Sequence, residues 1–103
     1  MLSAKAEIIF TLDGRNYSGC KYPLRPAFRF GDGLLFSGNI KSNATEYLNN
    51  KKYLVDIEFF TIGDDGFSVI KPYLSEGMDL VMQEGSQIIG LARLNSYTYR
   101  GGH

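Results

Sequence analysis

Residues 78–90 read Met-Asp-Leu-Val-Met-Gln-Glu-Gly-Ser-Gln-Ile-Ile-Gly, and this stretch constrains the fold more than any other. Two apolar runs meet at Glu84-Gly85-Ser86. One acid, one residue free to take positive φ and one small polar residue make a hairpin turn there. The spacing predicts arms over Leu80–Gln83 and Gln87–Leu94, with Asn95–Arg100 trailing out.

The same strand-and-turn grammar runs upstream. From Lys5 to Leu12, Ala6, Ile8, Phe10 and Leu12 alternate on one face, with Glu7 and Thr11 on the other. Asp13-Gly14-Arg15-Asn16 reads as a turn. Pro23 and Pro26 each remove a backbone donor, so Tyr22–Phe30 is extended and irregular until Ala27. Gly31-Asp32-Gly33 is a tight turn, and Leu34–Ile40 a strand in which Gly38 marks a bulge or a close backbone approach. Ser42–Asn50 is the one candidate helical turn, with Asn43 as its cap and Glu46 three residues on. In Lys52–Phe60, Tyr53, Val55, Ile57 and Phe59 share a face while Asp56 and Glu58 point away. Gly63-Asp64-Asp65-Gly66 reads as a turn, Phe67–Ile70 is short and apolar, and Pro72 bars a central strand.

Short strands with a turn signal every 8–12 residues predict an antiparallel barrel or sandwich. For 103 residues the expected fold is all-β, a small six-stranded antiparallel β-barrel, because closure removes exposed edges. Residues 1–100 are expected to form a single domain, and 101–103 read as the start of an expression tag. With 44% hydrophobic and 14% aromatic residues the chain has a globular composition rather than a disordered one.

Eleven basic and eleven acidic residues give a net charge of zero, which argues against a dedicated nucleic-acid binder. The charge is unevenly spread: residues 1–30 carry Lys5, Arg15, Lys21, Arg25 and Arg29 against Glu7 and Asp13. Cys20 is the single cysteine, so no intrachain disulfide forms. That fits a cytoplasmic protein, as does the absence of a signal peptide ahead of the first strand. No apolar run approaches the ~20 residues of a membrane helix, so no membrane association is expected.

Catalytic groups do not assemble in the sequence. The single histidine is His103, so Cys20 has no imidazole base. Asp64-Asp65-Gly66 lacks the carboxylate spacing of a calcium loop, and no Cys/His cluster offers a zinc site. Gly31-Asp32-Gly33 is not followed by the Gly-Lys-Ser/Thr of a phosphate loop. Asp56 and Glu58 share a strand face and read as solvated carboxylates. The expectation is a non-catalytic protein with no metal and no cofactor.

Several stretches in order resemble the third, C-terminal β-barrel domain of elongation factor Tu. Ala6-Glu7-Ile8 matches its opening strand, and Asp13-Gly14-Arg15-Asn16 its Gly-Gly-Arg-His turn. Pro23-Leu24-Arg25-Pro26-Ala27-Phe28-Arg29-Phe30 is similar to its Gly-Tyr-Arg-Pro-x-Phe-x-Phe segment. Gly77 to Gly90, with Glu84-Gly85 and Ile89-Gly90, resembles its closing Gly-x-x-Phe-x-Ile-Arg-Glu-Gly-x-x-x-Val-Gly. The resemblance covers residues ~5–97 and implies the barrel fold. It makes Arg25, Pro26, Phe28, Phe30, Glu84, Gly85 and Gly90 structural landmarks. Arg25 would meet buried carbonyls or an acid such as Glu84.

In that family the domain contacts aminoacyl-tRNA, the GTPase domain and the exchange factor. The GTPase domain has no counterpart here, so the resemblance implies no GTP. Arg15 matches a tRNA-contacting arginine, but Asn16 replaces a histidine, Ala27 a polar residue, and Asp79 and Gln83 arginines. tRNA binding is therefore expected to be weakened or lost.

The favoured expectation is a protein-binding module, such as a cytosolic immunity protein that neutralises a toxin. Tyr17, Tyr22, Tyr47, Tyr73, Tyr97 and Tyr99 lie in predicted loops or near strand ends, and Tyr is enriched at interfaces. Expected contact residues are Arg15, Asn16, Tyr17, Lys21, Tyr22 and Arg29. The alternative is an accessory RNA-binding factor in translation, built on Arg15, Lys21, Arg25 and Arg29.

Overall fold

Alternation of apolar and polar residues does become strand. The computed structural model describes residues 1–11, 17–18, 25–31, 33–44 and 46–101. Its strands are β1 Leu2–Phe10, β2 Tyr17–Ser18, β3 Ala27–Phe30, β4 Leu34–Ser37, β5 Asn39–Lys41, β6 Glu46–Tyr47, β7 Lys52–Phe59, β8 Asp79–Glu84 and β9 Gln87–Tyr99. One helix, α1 Asp64–Ile70, runs into a 3-10 turn at Lys71–Tyr73.

Seven strands form one antiparallel sheet in the order β4-β3-β8-β9-β1-β7-β5, and β2 pairs with β6 apart from it. The sheet curls into a half-barrel. The expected number was six, and the difference lies at Gly38. Leu34–Ile40 was one expected strand, but Gly38 divides it, and the two parts pair with opposite edges of the sheet: Ala27 opposes Ser37, while Ile40 opposes Ile57. A Cβ at position 38 would lie 2.7 Å from Ile57, 2.8 Å from Phe28 and 2.9 Å from Phe59, so only hydrogen fits at the bend. The Gly38 amide donates to the Pro26 carbonyl at 3.1 Å, tying the bend to β3.

Two bulges add twist. Lys5 opposes Ser96 while Ala6 opposes Leu94, leaving Asn95 unopposed. Met82 opposes Gly90 while Gln83 opposes Ile88, leaving Ile89.

Inside the curl, β1 contributes Leu2, Ala4, Ala6, Ile8 and Phe10, all buried. Phe59 is the hub of the aromatic core. Its ring meets Phe28 at 5.2 Å and Phe30 at 5.5 Å, both edge-on. Such pairs add about 0.5–1.5 kcal/mol each beyond area burial. Phe28 and Phe30 thus point inward from one strand face, as the sequence predicts.

Three local expectations are overturned by tertiary contacts. Ser42–Asn50 is not helical: Glu46–Tyr47 is strand β6. The Tyr47 ring is fully buried between Phe10 (5.1 Å) and Tyr53 (4.9 Å), and its hydroxyl meets Ser42 Oγ at 2.5 Å. Ser42 Oγ also accepts the Ala44 amide at 3.1 Å, a local bond that competes with helix. Gly63–Gly66 is not a free-standing turn but the start of α1, where the Phe67 amide donates to the Gly63 carbonyl at 2.8 Å. Asp64 and Asp65 sit in its first turn, where the helix dipole favours acids. Finally, Asn95–Arg100 does not trail out. β9 continues to Tyr99 because the first residues of β1 reach it, with Leu2 opposing Tyr99. The Met1 amine closes that end on the Arg100 carbonyl at 2.7 Å.

Candidate functional site

Of the contact residues expected from sequence, Arg15, Asn16, Lys21 and Tyr22 lie outside the described residues, as does Cys20. Tyr17 is described by its backbone alone, opposite Tyr47. Arg29 is exposed on the outer face of β3. Among the expected landmarks, Pro26, Phe28 and Phe30 are buried, and Gly85 takes a φ of 57° in the β8–β9 turn. Gly90 allows β1 to approach β9: a Cβ there would sit 2.2 Å from the Ile9 carbonyl oxygen.

The expected pairing of Arg25 with Glu84 does not form. Both side chains are exposed, and neither joins an ion pair among the described residues. Arg25 precedes the first paired residue of β3, whereas Glu84 sits at the tip of the hairpin. The guanidinium fixed here is instead that of Arg29. Its Nη2 donates to Gln83 Oε1 at 2.8 Å, and Gln83 Nε2 donates to the Gly85 carbonyl at 2.8 Å. Gln83 itself is buried.

Strand register sets the outer surface around Arg29. Leu35 opposes Arg29, Arg29 opposes Val81, Val81 opposes Leu91, Leu91 opposes Ile9, and Ile9 opposes Lys52. These six residues form one row across β4-β3-β8-β9-β1-β7. At ~4.8 Å per strand the row spans about 24 Å. Leu35 and Leu91 are 46% and 42% exposed, and Ile88, at the next outward position of β9, is 53% exposed. Below the row, Arg93 lies between Asp79, which it meets at 3.2 Å, and Glu7, which it directly opposes. Its charge is therefore compensated by Asp79, with Glu7 beside it in the register.

The other end of the same sheet is polar. Lys41 opposes Asp56, Asp56 opposes Lys5, and Lys5 opposes Ser96. Lys5 pairs with Asp56 at 3.7 Å and Lys41 with Glu58 at 2.6 Å. The second contact lacks hydrogen-bond alignment, so the buried Glu58 Oε1 is compensated by charge alone. An open groove of about 600 Å³ runs here, lined by Lys5, Lys41, Asn43, Asp56 and Asn95 among others. Asp56 and Glu58 do share the outer face, as the alternation predicts. Each turns to a lysine, an arrangement of ion pairs rather than of an acid facing a base. Among the described residues no three His, Cys, Asp or Glu side chains converge on a point. No helix among them is long and apolar enough to cross a membrane.

The tyrosines divide. Tyr47 is core, which corrects its expected place at the surface. Tyr73 is 47% exposed. Tyr99 is half-buried, stacked on Phe67 at 3.9 Å, and its hydroxyl donates to Asp64. Chiefly because that hydrogen bond to the carboxylate holds the phenol in its neutral form, Tyr99 is pushed up to about 12.

Sequence reasoning missed Leu35, Val81, Leu91 and Ile9 as surface residues. For Ile9, Leu35 and Val81 the signal was present as apolar doublets: Ile8-Ile9, Leu34-Leu35 and Leu80-Val81 each place one side chain inward and the next outward. No protein-family model matches the chain, and no curated protein matches it significantly in sequence.

Proposed function

We propose that this protein is a non-catalytic, protein-binding β-barrel module whose working surface is the outer row through Arg29 and Leu91. One observation carries the reading: four apolar side chains, Leu35, Val81, Leu91 and Ile9, stand in register on the outer face of the sheet. Contiguous apolar surface of this kind marks interaction sites, whereas scattered exposed leucines do not. The row is centred on an arginine, a residue enriched at protein interfaces. The resemblance of its sequence to the third domain of elongation factor Tu supports one form of such a module, a cytoplasmic immunity protein that neutralises a toxin recognising that factor.

Affinity capture from the native cell tests this, with wild-type and Leu91→Asp baits and with and without nuclease. A protein that survives nuclease and is lost on Leu91→Asp is the expected result. Recovery of RNA alone, released by nuclease and indifferent to Leu91→Asp, would establish the accessory RNA-binding reading instead.

A further inference from the structure

We infer that the row centred on Arg29 takes an acidic segment of a partner protein, with a carboxylate of that segment seated on the guanidinium and apolar residues on Val81 and Leu91. The inference rests on the protein-binding reading above and names the partner's chemistry.

Gln83 is the starting point. A buried amide is costly unless hydrogen-bonded, and both of its ends are satisfied. Its nitrogen donates to the Gly85 carbonyl at the hairpin turn, and its oxygen accepts from Arg29. The turn therefore orients the amide, and the amide orients the guanidinium. An arginine held this way loses less side-chain freedom when a partner binds. Its bond to Gln83 uses one Nη2 donor, and a guanidinium has five.

Arg29 also lacks a counter-charge among the described residues. Its side-chain partner is a neutral amide, and no acid pairs with it among the described residues. Its neighbours in the row are Leu35 and Val81, which would exclude water from an ion pair formed on it. Lys52, at the far end of the row, is a second exposed cation without an acid partner among the described residues. The pattern is cation, three apolar residues, cation. A carboxylate-bearing protein segment matches it better than a phosphate backbone. A phosphate backbone draws its affinity from several cations along its path, whereas this row offers two, with three apolar residues between them.

The test is selection of a random phage-displayed peptide library on the full chain. Selected peptides are then measured by fluorescence anisotropy against wild type, Leu91→Asp, Arg29→Gln and Gln83→Leu, each checked for folding by circular dichroism. The expected peptides carry a Glu or Asp flanked by apolar residues and are lost on Leu91→Asp. They bind at least about tenfold more weakly to Arg29→Gln, since truncating one partner of a desolvated charge pair has effects of this size or larger. Exchanging their acid for its amide has the same effect, and Gln83→Leu weakens binding less. Peptides that dock on this face with no acid, and bind Arg29→Gln unchanged, overturn the inference and leave the protein-binding reading standing. Failure to select any peptide that distinguishes wild type from Leu91→Asp overturns both. So does tight binding of a single-stranded RNA oligonucleotide at low salt that Arg29→Gln abolishes.

Discussion

The two ends of the curved sheet are built from the same long strands and meet water in opposite ways. β1 and β9 run through both. At one end Lys41, Asp56, Lys5 and Glu58 alternate across strands, so each charge finds its opposite within the protein. At the other end Leu35, Val81, Leu91 and Ile9 line up around an arginine that has no acid partner among the described residues. The first surface is complete in itself. The second leaves apolar area and a fixed charge unmatched, and a surface of that kind gains free energy only when something covers it. Exposure alone would not separate them; the chemistry of each neighbour in the register does.

Gly90→Ala should have the largest effect. Its new Cβ would meet backbone, the Ile9 carbonyl and Phe10 Cα, which cannot move aside as a side-chain tip can. Urea denaturation should show a loss of about 3 kcal/mol, the upper end of the range for overpacking. Amide shifts should concentrate at the apolar end, near Ile9 and Leu91, and leave the Lys5–Asp56 end in place. A spread over both ends would mean that the two surfaces are not independent.

Next come substitutions that exchange the characters of the two ends. Leu91→Asp should weaken partner binding at least about tenfold, or ~1.4 kcal/mol, with stability changed by less than about 0.5 kcal/mol. Lys5→Ala should leave binding unchanged. Equal losses from the two variants would dissolve the contrast.

A smaller effect is expected from the Lys5–Asp56 double-mutant cycle. The two side chains are 75% and 62% exposed, so their coupling should lie between about 0.2 and 1 kcal/mol and shrink with salt.

The smallest effect near neutrality is that of Tyr99→Phe. The folded phenol ionises at about 12, above its ordinary value of about 10. Its bond to Asp64 therefore contributes fully below pH about 10, and that contribution fades as pH rises toward 12. Wild type should lose stability more steeply than Tyr99→Phe across that interval. Ultraviolet titration should show a phenol that ionises at about 12 in the wild type and is missing from the variant.

Much of the framework was legible because it depends on local rules. Glu84-Gly85-Ser86 predicted the hairpin, the alternation in Lys52–Phe60 predicted β7 and its inward face, and Gly38 predicted the close approach it makes with Phe28 and Phe59. Arg25 attracted attention as the rigid fork of its motif, yet the guanidinium that is held belongs to Arg29, two residues on. The reason is long-range: Gln83, from the other end of the sequence, is the hydrogen-bond partner, and no local pattern announces it. The Ser42–Asn50 expectation failed for the same kind of reason, since Tyr47 is recruited by Phe10 and Tyr53.

By itself, then, the amino-acid order determined an all-β chain, the Glu84–Ser86 hairpin turn, and which side chain of each alternating strand faces the core. Those properties follow from a two-residue period and from the backbone chemistry of Gly, Pro and Asn, which act over a few residues. Only the tertiary structure decided that residues 34–41 divide at Gly38 to pair with both edges of the sheet, and that Leu35, Arg29, Val81, Leu91 and Ile9 stand side by side. Neighbours across strands are set by register and curvature, and these depend on bulges and packing that join residues far apart in the chain.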